Sequence, residues 1–168
     1  VNPIKPAHID EFYSVTSEVF CALYAAFPVR HLLLVEDLIG PIKWDITGMP
    51  DRRSQACFET FVWLADHNLL TYRTIEPRNI GIEGAVLTQQ AFVLLTGVMT
   101  WDHGESVSRI DALKQALEQK RPKVISTSIE EVMREIGIVS ASKAIEQIAG
   151  LRKPVPDELV EVARSLTV

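Results

Sequence analysis

The feature that most constrains the fold is a change of hydrophobic period near the middle of the chain. Over residues 52–67 apolar side chains recur every three or four positions, which predicts a helix. Residues 70–75 follow almost at once and are rich in strand-forming side chains, and residues 80–87 form a second such run after a turn at Pro77. This stretch therefore predicts a helix that leads into a two-stranded β-ribbon.

The residues at the ends of these segments agree with that prediction. Asp51 stands where an N-cap is needed, and Asn68 tolerates the left-handed conformation that often ends a helix. Thr88 is placed to cap a further helix over residues 89–95, and Gly97 stands near the end of that helix. Helix, ribbon and helix are thus expected in immediate succession.

The chain before this stretch predicts two more helices. Residues 9–27 place apolar side chains on one helical face, and Pro28 ends the pattern. Residues 31–39 are apolar and stop at Gly40, so we expect a short second helix there. Residues 41–50 hold two prolines and read as a loop.

The chain after residue 100 predicts polar helices with narrow apolar stripes. Their expected positions are 106–120, from 129 onward, 142–148 and 158–166. We therefore expect one mainly α-helical protein in two parts, residues 9–100 and a C-terminal helical extension over residues 101–168. The extension either packs against the first part or forms an arm for homodimerisation.

The order helix, short helix, helix, strand, wing, strand, helix resembles the winged helix-turn-helix superfamily over residues 9–97. Residues 65–71 (ADHNLLT) look like the exit of the third helix in such domains. Residues 87–95 (LTQQAFVLL) resemble the LTxxGxxLL element of MarR-type and PadR-type regulators. The resemblance implies a fold that is mainly α, with a small two-stranded β-wing and C-terminal helices.

The resemblance also implies a DNA-binding transcriptional regulator. In DNA-binding winged helices the third helix enters the major groove, and its exposed side meets phosphates and base edges. A helical wheel places Arg52, Arg53 and Thr60 on that side, opposite the apolar stripe. Arg73 and Arg78, in the ribbon, would contact the flanking DNA backbone.

The alternative function is a winged-helix adaptor that binds another protein. The net charge is −5, and the ribbon carries few basic residues, so binding driven by charge alone is disfavoured. The wheel places Trp63 and His67 on the exposed side of the third helix, and Trp is common at protein interfaces. Trp63 has a second interpretation, in which it packs beneath the C-terminal helices.

The sequence predicts neither an enzyme nor a cofactor. The four histidines form no HxxxH or HExxH pattern, and there is no GxGxxG, phosphate-binding loop or GxSxG motif. The polar cluster at residues 102–105 is more typical of a solvated turn than of a metal site. No metal is therefore expected.

Cys21 and Cys57 lie in apolar segments, so we expect free thiols in a reducing compartment and hence a cytoplasmic protein. The alternative is a disulfide between the two cysteines. No run approaches ~18 apolar residues, and residues 1–8 do not resemble a signal peptide, so no membrane association is expected.

Overall fold

The computed structural model describes residues 7–100 and 104–151, with side chains up to residue 137. The protein is mostly helical, with a small antiparallel sheet, as the sequence predicts. The helices are α1 (Ala7–Ala26), α2 (Val35–Ile39), α3 (Arg52–Asp66), α4 (Gln89–Thr96), α5 (Arg109–Glu118) and α6 (Pro122–Leu151). The strands are β1 (His31–Leu34), β2 (Leu70–Thr71), β3 (Thr74–Ile75), β4 (Gly81–Leu87), β5 (Val98–Thr100) and β6 (Ser106–Ser108).

The main sheet is built around β4. Strand β1 pairs with one edge of β4, β2 and β3 pair with the other, and all these pairings are antiparallel. The predicted ribbon is therefore present, but it is part of a four-stranded sheet. Its partner β1 occupies residues that were predicted as the start of the second helix, and only α2 remains helical there. That part of the prediction is wrong, because a short apolar run does not distinguish strand from helix.

The sheet explains one glycine in β4. A Cβ atom at Gly81 would collide with the carbonyl oxygen of Leu33 and the side chain of Leu34. Glycine therefore permits the close approach of β1 to β4. Leu33 of β1 and Ile82 of β4 are buried, so β1 packs against the core together with β4.

The core lies between α1, α3, α5 and the sheet. The apolar stripe predicted for α1 is buried at Val15, Val19, Phe20 and Leu23. Fully buried side chains of the other elements complete the core, among them Phe61, Leu64, Leu69, Ile82, Leu95 and Leu113. Burial of this stripe fixes which side of α1 remains available for other contacts.

The end of α3 adopts the left-handed cap predicted at Asn68, whose φ is 57°. The Asn68 amide donates to the Ala65 carbonyl at 3.0 Å, and the Leu69 amide donates to the Leu64 carbonyl at 2.9 Å. These two bonds form a Schellman motif. Thr88 joins the same corner to α4, since its hydroxyl accepts from the Ala91 amide at 3.1 Å and donates to the Asn68 carbonyl at 2.7 Å.

The region after residue 97 departs from prediction in two places. The first residues of the helix predicted over 106–120 form β6, which pairs with β5, and Ser108 then caps α5. Pro122, expected to interrupt the helices, begins α6, because proline is tolerated in a first helical turn. Residues 122–128 lie between the helices predicted over 106–120 and from 129 onward, and they form the start of α6. The helix predicted over residues 158–166 lies outside the described residues.

The described residues form two compact units that divide between Val132 and Met133, within α6. The first unit contains α5 and the start of α6, so it extends past residue 100, the end of the predicted winged-helix part. Within the described ranges, no helix has the length and apolar character needed to cross a membrane.

Candidate functional site

A groove of about 480 Å³ lies between α1, α2 and α3. We call it the α1–α3 groove. Its wall is largely apolar, and the apolar side chains that matter here are Phe12, Val15, Leu38, Ala56, Cys57 and Trp63. A concave apolar surface with a few polar groups is the usual form of a binding site.

The two long helices supply most of the groove lining. Its lining extends on α1 from His8 to Glu18 and on α3 from Arg53 to Trp63. At a helical rise of 1.5 Å per residue, each wall is about 15 Å long. The site is therefore lined by about three turns of each long helix.

Arg53 connects the three helices around the groove. Its Nε lies 3.2 Å from Oε1 of Glu11 on α1, and its Nη1 donates to the carbonyl oxygen of Ile39 on α2 at 3.3 Å. Both charged side chains are more than half exposed, so the ion pair adds little to stability. Its effect is to hold this predicted phosphate ligand beside the groove.

Trp63 lies at the opposite end of the α3 wall. Its ring meets Phe12 of α1 edge to face, with centroids 5.2 Å apart, and stacks on His67 at 3.8 Å. Nδ1 of His67 lies 2.8 Å from the Trp63 carbonyl oxygen, which fixes the imidazole against the indole. Trp63 is nevertheless 37% exposed. The two residues predicted for a protein interface are thus adjacent, and Trp63 rests on α1 while part of its side chain stays exposed.

Thr60 does not lie where the helical wheel places it. It is only 5% exposed, and its hydroxyl donates to the Ala56 carbonyl at 2.8 Å. The prediction that Thr60 lies on the exposed, DNA-facing side of α3 is wrong, because α1 covers α3 at this position. Its side chain contributes to the floor of the groove.

The remaining predicted arginines do not line the groove. Arg52 is exposed in the first turn of α3. The side chain of Arg73 lies against Gly84 of β4, whose missing Cβ leaves room for it. Arg78 stacks over the ring of Trp44 at 5.5 Å. Of the predicted DNA-binding residues, only Arg53 and Thr60 line the groove.

The exposed stripe of α3 mixes charges of both signs. Arg52, Ala56, Glu59, Trp63 and Asp66 follow one another at steps of three and four and are all exposed. Residues at this spacing share a face. A surface that reads DNA presents mainly donors and positive charge, whereas two of these five residues are acids.

The groove carries an acidic bias that the sequence prediction missed. Glu11, Glu18 and Glu59 line it, and Arg53 is the matching cation. Burial raises the pKa of Glu18, and among the described residues nothing hydrogen-bonds or ion-pairs with it. The sequence did contain a signal for Glu18. It lies one helical turn after the buried Val15, and an acid at that spacing lies at the border of the apolar stripe of α1.

Both cysteines are free thiols, as predicted. Cys57 is buried in the groove floor, and burial raises the pKa of its thiol to about 12. The pKa of the Cys21 thiol is also raised to about 12, by burial and by the nearby Glu18. A thiol in this state is protonated at neutral pH and is a poor nucleophile.

Among the described residues, no group of three or more His, Cys, Asp or Glu side chains could hold a metal ion. No protein-family model, curated protein or solved structure matches the chain. Function is therefore inferred from the chemistry of the groove and from the order of the elements that build it.

Proposed function

We propose that the chain is a winged-helix protein that acts as a non-enzymatic adaptor and binds another protein through the α1–α3 groove. The order α1, β1, α2, α3, β2/β3, β4 supports a winged helix, as does the antiparallel sheet in which β4 lies between β1 and β2. In this interpretation α2 and α3 are the helix-turn-helix pair, α1 packs against both, and the connection from β2 to β4 is the wing.

The observation that carries the proposal is the half-exposed Trp63 at the border of an apolar groove. Its ring is held by Phe12 and His67, so little conformational entropy is lost when a partner covers its exposed part. Anchored aromatic residues beside an apolar concavity are the usual centres of protein interfaces. The groove thus combines a preformed surface with a rigid aromatic contact.

DNA binding is the second candidate. The exposed Arg52 in the first turn of α3 favours it, because this position meets phosphates when a third helix enters the major groove. Glu59 and Asp66 on the same stripe oppose it, since both would face the phosphates. Arg53 is already engaged by Glu11 and the Ile39 carbonyl.

The test compares two variants of the tagged chain in the cells that produce it. Ala56→Arg places a long charged side chain on the exposed α3 position that lines the groove, while Ala25→Arg makes the same change at an exposed position of α1 away from it. We expect one identified partner to copurify with the wild type and with Ala25→Arg, and to be lost with Ala56→Arg.

A partner retained by Ala56→Arg would contradict groove binding. A titration with random duplex DNA at low and moderate salt then decides between the candidates, because phosphate contacts weaken steeply as salt rises. Absence of DNA binding at low salt is the result that the adaptor proposal predicts.

A further inference from the structure

The shape of the α1–α3 groove indicates the form of its occupant. About three turns of α1 and about three turns of α3 line the groove, a span comparable with the length of a short third helix. An amphipathic helix occupies an apolar groove by placing apolar side chains, spaced three and four residues apart, against the groove surface.

The charges around the groove indicate which residues accompany the apolar face. The groove is lined by three carboxylates, those of Glu11, Glu18 and Glu59, and by a single guanidinium, that of Arg53. Nε of Arg53 lies 3.2 Å from Oε1 of Glu11, so the charges of these two side chains already balance each other. Glu18 and Glu59 remain as negative charge on opposite walls.

Glu18 is the more informative of the two carboxylates. It is half-buried beside the apolar lining, and among the described residues no donor or cation satisfies it. A partly desolvated carboxylate is costly alone and favourable when a cation pairs with it. A docked helix that places a basic side chain beside Glu18 would therefore bind more tightly than a helix without one.

We infer that the partner segment is an amphipathic helix of about three turns with Lys or Arg residues flanking its apolar face, an inference that rests on the proposed function. The apolar face covers Trp63 and the groove floor. One basic side chain pairs with Glu18 on the α1 wall, and another meets Glu59 on the α3 wall. Complementary charge fixes the orientation of the helix and excludes acidic amphipathic segments.

The test uses two synthetic peptides of about 14 residues, a length that covers the groove. Both carry Leu at the positions of one helical face. One has Lys at the flanking positions, and the other has Glu at the same places. Binding to the full chain is measured by calorimetry for the wild type, Glu18→Gln, Ala56→Gln and the control Ala25→Gln.

We expect the Lys peptide to bind the wild type at least about tenfold more tightly than the Glu peptide. Glu18→Gln should weaken the Lys peptide about tenfold, because a partly buried ion pair is lost, and should leave the Glu peptide unweakened. Ala56→Gln narrows the groove without adding charge and should weaken both peptides, while Ala25→Gln should weaken neither.

Each other result overturns a stated part of the inference. Equal affinity of the two peptides, or no loss with Glu18→Gln, overturns the basic partner but leaves the groove as a helix site. Peptide binding that Ala56→Gln does not weaken, or no binding of either peptide, overturns the helical partner. The cellular capture with Ala56→Arg is independent of these peptides, so failure of the proposed function is recognised separately.

Discussion

At the scale of single residues, some side chains of α3 are buried in the core and others remain exposed beside the groove. Phe61 is fully buried, whereas Trp63, two positions further on, is 37% exposed and contacts Phe12 and His67. We therefore expect Trp63 to contribute less to the stability of the fold than Phe61 does. The alternative interpretation, in which it packs beneath the C-terminal helices, would make it a core residue.

Urea unfolding separates these two roles. We expect Trp63→Ala to lower the free energy of unfolding by about 1–2 kcal/mol, since only part of the ring leaves contact with α1. Phe61→Ala removes a fully buried ring and should cost about 3–5 kcal/mol. If both substitutions cost the same large amount, Trp63 belongs to the core and its place in a binding site is lost.

At the scale of elements, structure that depends on neighbouring residues in the sequence could be predicted. Structure that depends on contacts between distant parts of the chain could not. The turn chemistry of Asn68 and Thr88 depends on their own side chains and neighbours, so the end of α3 and the start of α4 were confirmed. Strand β1 depends on a partner, β4, that lies far along the chain. Its short apolar run carries no signal of that pairing, and a helix was predicted instead.

The same division applies to the candidate site. The wheel of α3 identified Arg53 and Trp63, because periodicity determines which residues share a face. It misplaced Thr60, because the position of α1 against α3 decides what is covered. The acidic wall at Glu18 also required the packing of α1, which a single sequence does not specify.

The pairing of β1 with β4 gives a prediction at this scale. Gly81→Ala should lower the free energy of unfolding by about 2 kcal/mol or more, because the added methyl group meets the backbone of β1 and the two strands must separate. Gly137→Ala is the control: nothing lies within 4 Å of an added Cβ there, and alanine favours the helix by about 0.5–1 kcal/mol. A Gly81→Ala protein as stable as the wild type would show that the close approach of β1 is not required.

At the scale of the whole molecule, the net charge of −5 and the arrangement of the groove favour a protein partner over nucleic acid. An acidic protein approaches a basic helical segment readily, and the preformed channel limits the cost of ordering on binding. A second copy of the chain is one candidate among protein partners, and the predicted role of residues 101–168 in dimerisation remains a prediction.

The most direct test of groove binding is photo-crosslinking in living cells. A benzophenone amino acid is introduced at position 56 on α3, inside the groove, or at position 25 on α1, outside it. We predict a discrete adduct with one protein from position 56 and none from position 25, and the adduct should disappear when Glu18→Gln is added. No adduct from position 56, or the same adduct from both positions, would contradict the claim that the α1–α3 groove binds a protein.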